Sequence, residues 1–112
     1  MPLVEIFARQ CMTKVIPLNA LQSRMCAIWG TTPETTKLIL NRVEDWTTSG
    51  LVDEDCYVSI RAKGTEQRTR TIVLDGMKQV QNCFAQEGLI ANVRLETYEG
   101  ERYFHVPPPM KK

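Results

Sequence analysis

Met1-Pro2-Leu3-Val4-Glu5-Ile6-Phe7-Ala8-Arg9 and, further along, Tyr57-Val58-Ser59-Ile60-Arg61-Ala62-Lys63 are the stretches on which the fold turns. In the first, Val4, Ile6 and Ala8 alternate with Leu3, Glu5, Phe7 and Arg9, the period-two pattern of a strand with one buried face. In the second the same types return in phase: Val58 for Val4, Ile60 for Ile6 and Ala62 for Ala8, one constant offset of 54 positions. Such a repeat is the mark of a duplicated supersecondary unit.

Working outward, each strand leads into a helix and a second strand. After strand one (residues 2–9) and a loop through Cys11 and Ile16, Asn19 and Gln22 have the spacing of a capping box. Leu18, Leu21, Met25 and Ile28 then recur at helical spacing, and Gly30 supplies a C-terminal stop. Pro33 precedes strand two (37–44), and residues 46–55, with Ser49-Gly50, form a polar connector. In the second half, Gly64-Thr65 turns the chain into a helix with Ile72, Val73, Met77, Val80 and Phe84 as its apolar stripe. Gly88 ends that helix, and residues 92–99 make the fourth strand.

The reading is one α+β domain, residues 1–106, with repeat halves about 2–46 and 56–104, and a proline-rich tail, 107–112. Val4, Ile6, Ala8, Leu38, Leu40, Val58, Ile60, Val93 and Leu95 would face two helices lying on one side of a four-stranded mixed sheet, a two-layer sandwich. The opposite face carries Glu5, Phe7, Arg9, Asn41, Ser59, Arg61, Arg94, Glu96 and Tyr98, too mixed for a dry core. Each β-α-β unit should hold its two strands parallel and adjacent. Interleaved strands, with strands one and three neighbouring at the centre, would mark the ferredoxin-like order instead.

At 112 residues and a formal net charge of +1, the chain has no general pull toward nucleic acid or anionic membrane. No apolar run approaches the roughly 20 residues that span a bilayer, and no basic start with an apolar stretch marks a signal peptide. Cys11, Cys26, Cys56 and Cys83 are scattered without C-x-x-C spacing, which fits neither a zinc site nor a disulfide framework and suits reduced thiols in the cytoplasm. His105 is the single histidine and stands in the tail, a poor basis for a Ser-His-Asp triad.

Pro2 carries the chemistry. Removing Met1 would expose a secondary amine on a rigid ring at the lip of a sheet. An α-amino group titrates at about 7.7–8.0, and apolar surroundings lower that value, so such a nitrogen is a well-poised general base. With Met1 in place the same nitrogen is an amide and has no basicity.

These residues resemble the tautomerase superfamily, which includes 4-oxalocrotonate tautomerase and macrophage migration inhibitory factor. The resemblance rests on Met1-Pro2 opening strand one, on the duplicated unit, and on Trp29-Gly30-Thr31-Thr32-Pro33 leading into Lys37-Leu38-Ile39-Leu40. The run from Val58 to Gln67 and the closing Arg102-Tyr103-Phe104 resemble a little-studied bacterial branch of that superfamily. The resemblance implies a homotrimer whose sheets surround a central channel. It implies an amino-terminal proline acting as base and acid on a small keto, enol or unsaturated carboxylic acid, with no metal or organic cofactor. Pro2 carries over directly; Arg9 and Lys37 fall near positions where members place carboxylate-binding arginines, and Arg94 falls near a pocket tyrosine. Arg9, Lys37 and Arg94 are therefore the candidates to hold the substrate carboxylate, with Arg61 a further cation on the same face. Cys56, the repeat's counterpart of Pro2, reads as a small hydrophobe at a strand start.

Two other classes compete. A ferredoxin-like module that binds a small ligand shares the element order, and a trimer with the fold but no activity is the third reading. RNA binding needs aromatics on the central strands, and the second of these offers Tyr57 alone. The tail is a solvated polyproline segment, and residues 103–106 are expected to pair with, or cap, a neighbouring copy's sheet edge.

Overall fold

The computed structural model describes residues 2–47, 54–102, 104 and 106–109. The connector around Ser49-Gly50 and residues Met1, Tyr103 and His105 lie outside them, so the expectations placed there stand as sequence readings. The elements run β1 (Leu3–Arg9), α1 (Leu18–Trp29), β2 (Lys37–Val43), β3 (Cys56–Lys63), α2 (Arg70–Gln86) and β4 (Ala91–Tyr98), with a 3-10 turn at Gly100–Arg102.

The strands form one sheet in the order β2-β1-β3-β4. β1 and β2 are parallel, β3 and β4 are parallel, and β1 meets β3 antiparallel. β1 and β3 are indeed neighbours at the centre, so that part of the ferredoxin test does not discriminate. What decides is that each β-α-β unit keeps its own strands together, so the ferredoxin-like order is excluded. The register makes the duplication an internal two-fold: Val4 pairs with Ile60 and Ile6 with Val58, each pair the other's image under the offset of 54, while Glu5 opposite Ser59 lies on the axis.

Alternation sorts the faces as expected. Val4, Ile6, Ala8, Cys56, Val58 and Ile60 are fully or almost fully buried against Leu21 and Met25 of α1 and Val80 and Phe84 of α2, with Leu38, Leu40, Val93 and Leu95 half-buried beside them. The alternate residues of β1, Leu3, Glu5, Phe7 and Arg9, are half-buried on the open face. Gly30 (φ 65°) and Gly88 (φ 74°) end the two helices in the left-handed region that favours glycine.

Two helix details differ from expectation. No capping box forms: α1 already includes Leu18, its cap is Pro17, and the Leu21 amide donates to the Pro17 carbonyl at 3.0 Å. Proline's fixed φ starts the helix without a side-chain cap, which frees Gln22. The Gln22 amide instead donates to the Thr36 carbonyl at 2.9 Å and to that of Pro33 at 3.3 Å, tying α1 to the chain before β2. In α2 the stripe is shifted. Ile72 is 54% exposed, and Gly76 and Cys83 are buried with Val80 and Phe84. The cause is Trp29, whose indole lies on the α2 backbone at Gly76; a Cβ there would stand 2.7 Å from Trp29 Cζ3. The helix itself starts at Arg70, where the Thr69 hydroxyl accepts from the Ile72 amide.

Candidate functional site

Pro2 sits where β1 begins, buried, with its carbonyl accepting from the Lys37 amide at 3.3 Å. It lines a nearly closed cavity of about 10 Å³ with Trp29, Ala62, Arg68, Val73 and Leu95. That is room for one water at most. Arg68 is the cation that lines this cavity, and sequence reading had not singled it out. Its guanidinium donates to the Lys63 carbonyl, and it also lines an open polar groove of about 670 Å³ with Thr65, Glu66 and Tyr98. Glu99 lines the same groove.

Of the three cations read from the sequence, Lys37 lies at this end. It is exposed and flanks Leu3 on the open face, with Arg61 on the other side. Arg9 is at the far end of β1, about 23 Å away at the rise of an extended strand. There its Nε lies 2.8 Å from Asp45 Oδ1, off the N–H direction, so the contact is electrostatic rather than a hydrogen bond. Its guanidinium stacks 4.5 Å over the Trp46 ring, and Nη2 donates to the Trp46 carbonyl at 3.5 Å. Arg94 stands beside Ser59 at mid-sheet and leans the same way, 5.6 Å from the Tyr57 ring centre. Within one chain, then, Pro2 and Lys37 share one end of the sheet, while Arg9 and Arg94 attend the other.

That other end holds a pocket of about 490 Å³ on the open face. Phe7, Tyr57, Val43 and Asn92 form its floor, one residue from each strand, and Trp46 and Glu54 stand at its side. Phe7 and Tyr57 meet edge to face with ring centres 6.1 Å apart.

The internal two-fold relates Pro2 to Cys56 and Arg68 to Lys14, and the two ends are finished differently. Cys56 is buried, and burial, helped by the Asp55 charge, pushes its thiol up to about 11. Lys14 is engaged: its Nζ lies 3.1 Å from Asp55 Oδ2 and donates to the Gly88 carbonyl at 3.1 Å, while the Ile90 amide donates to the same Asp55 oxygen at 2.8 Å. Burial raises the Asp55 pKa, but the Ile90 and Lys14 hydrogen bonds outweigh it and hold the carboxyl below its ordinary value. The repeat, followed as far as Lys14, was the signal that could have pointed to Arg68.

Among the described residues no group of His, Cys, Asp and Glu could hold a metal ion, and no helix is long and apolar enough to cross a membrane. No family model and no curated protein matches the sequence. Solved structures do match in fold. A native fused 4-OT superposes with a TM-score of 0.73 at 9% identity, covering 92% of this chain and 91% of that one. N1, a member of the cis-3-chloroacrylic acid dehalogenase family, gives 0.68 at 16% identity over 92% and 79%. The fused 4-OT Q0, a wild-type symmetric trimer, gives 0.62 at 17% over 87% and 85%. These are tautomerase-superfamily structures, and at the level of fold the resemblance read from the sequence holds.

Proposed function

We propose that the chain is a tautomerase-like isomerase that uses Pro2, freed of Met1, as general base and acid on a small keto, enol or unsaturated carboxylic acid. The observation that carries this reading is the burial of Pro2 at the sheet lip, where it shares a small cavity with the Arg68 side chain. The neutral nitrogen takes a proton from the carbon next to the carbonyl and returns it at the other end of the conjugated system. A guanidinium offers a bidentate fork to the substrate carboxylate and offsets the enolate charge as it develops. Arg68 is placed for that role, with Lys37 beside it on the open face. Arg9 and Arg94 could serve only the Pro2 of another copy, which is consistent with a homotrimer like that of Q0. The chemistry needs no cofactor.

A specific observation favours the non-catalytic alternative: a cavity of about 10 Å³ admits no substrate. The intact mass decides first, since retention of Met1 would leave no basic nitrogen and end the catalytic reading. For processed protein, phenylpyruvate enol–keto conversion is followed in the parent and in Pro2→Ala, which keeps an amine but loses the ring. A loss of about 10²–10⁴-fold in rate is expected. No turnover of such acids by the processed parent, or a Pro2→Ala rate equal to the parent's, leaves a binding or structural trimer.

A further inference from the structure

We propose that the Trp29 indole N–H donates a hydrogen bond to the oxygen on C2 of an oxo-acid substrate, a role that rests on Pro2 being the base. Trp29 walls the Pro2 cavity together with Arg68, and its Nε1 is buried without a hydrogen-bond partner. Among the described residues the other buried side-chain atoms left in that state are Arg9 Nε, Trp46 Nε1 and Glu54 Oε2, which attend the opposite end of the sheet. A buried donor without an acceptor costs free energy. At the wall of a cavity it suits an acceptor that arrives from outside.

The donor is held in place by packing. The outer edge of the six-membered ring lies on α2, where a Cβ added at Gly76 would stand 2.7 Å from Trp29 Cζ3 and 3.1 Å from Cζ2. Nε1 belongs to the other ring of the indole, so the contact fixes the ring without using the N–H. The cavity, about 10 Å³, has the size of one water or one oxygen atom rather than of a whole acid. Arg68 lines both this cavity and the open groove of about 670 Å³. An oxo acid can therefore set its C2 oxygen in the cavity and its carboxylate, one carbon away, on the guanidinium, with the remainder in the groove. When the Pro2 nitrogen takes a proton from C3, the C–H pair becomes the C2=C3 bond and the carbonyl pair moves onto oxygen. The indole N–H meets that new charge without reorienting. Transfer of the proton from prolinium to the oxygen completes the enol, and the reverse order restores the ketone.

Trp29→Phe keeps an aromatic wall and removes the donor. In processed protein, kcat/KM for phenylpyruvate enol–keto conversion should fall at least about tenfold. The inhibition constant of cinnamate, which has the ring, double bond and carboxylate but no oxygen on C2, should stay within about twofold. Equal weakening of turnover and of cinnamate binding would mean that Trp29 only shapes the cavity. Turnover within about twofold of the parent would mean that the N–H meets no substrate atom, and cinnamate failing to inhibit the parent would remove the carboxylate's hold beside it. Each of these overturns the role of Trp29 while the dependence on Pro2 stands. Retention of Met1, or turnover that Pro2→Ala leaves unchanged, overturns both.

Discussion

At Pro2 the internal two-fold leaves Arg68 lining a small cavity and an open groove that also holds Glu66 and Glu99, whereas at Cys56 the equivalent Lys14 is bound to the chain's own Asp55. The backbone frame is the same, since β1 and β3 exchange under one register. The difference lies in who supplies the anion. At the Cys56 end the carboxylate is covalently present, hydrogen-bonded to the Ile90 amide, and the cation's job is stability. At the Pro2 end the cation donates to a backbone carbonyl and faces an open groove rather than a hydrogen-bonded carboxylate at a strand start. Duplication followed by divergence of the two ends leaves a contrast of this kind.

The largest effect expected from breaking the comparison is at Arg68. Arg68→Met removes the charge and keeps the stem, and kcat/KM for phenylpyruvate should fall about 10²-fold, the order seen when one charge-stabilising donor is lost. Lys14→Met, its counterpart, should leave kcat/KM within about twofold. Equal losses in the two variants would mean that the ends are not specialised and that Arg68 acts through the fold.

Gly76→Ala comes next. In an exposed helix this change stabilises by up to about 1 kcal/mol, but here the added carbon meets the Trp29 indole that walls the Pro2 cavity. Overpacking should win, costing about 1–3 kcal/mol in denaturant unfolding. With Trp29→Phe present the cost should shrink, a coupling that a double-mutant cycle reads directly. A stabilising Gly76→Ala would show that the indole can move aside.

How far the sequence shows these things depends on the range of the signal. Strands and faces are legible because Val4, Ile6 and Ala8 report a period of two within a few residues, and Gly30 and Gly88 mark helix ends by a local conformational demand. The missing capping box and the exposed Ile72 are also local, yet they were overruled by Pro17 and by the packing of Trp29 on Gly76, a contact across 47 positions of chain. Arg68 stands in the irregular stretch between β3 and α2, where no periodicity points at Pro2. The aromatic pocket draws on four strands and the connector, so no window of sequence contains it. Pro2 was legible because its chemistry needs only its position behind Met1, whereas its cationic partners depend on where loops and neighbouring copies bring them.

At the Cys56 end, Asp55→Asn tests the stabilising half of the comparison. Losing charge-assisted bonds from Lys14 and Ile90 should cost about 1–2 kcal/mol at pH 7. The sign with pH follows from the lowered carboxyl. Its folded pKa is below the ordinary 3.8, so its contribution is fully present above that value and fades as pH falls through the folded one. Parent and variant curves should therefore begin to converge only below the ordinary carboxylate value and meet once pH has fallen through the folded one, and a gap that persists at full protonation would show that the contribution is not ionic. Turnover at Pro2 should not change.

The smallest effect is expected at Cys56 itself. It occupies the repeat position of Pro2, but burial raises its thiol to about 11, so almost no thiolate exists at neutral pH and a buried sulfur is a poor nucleophile. Cys11, exposed in the loop after β1, should react with a disulfide reagent at pH 7.5 long before Cys56, which should label only as the domain unfolds. Cys56→Ala removes one sulfur from a tightly packed strand start and should cost about 1 kcal/mol, with turnover unchanged. If Cys56 labelled at the rate of Cys11, or its loss slowed the enol–keto reaction, this end would be an open site in its own right. The two halves of the repeat would then be two sites rather than one site and one brace.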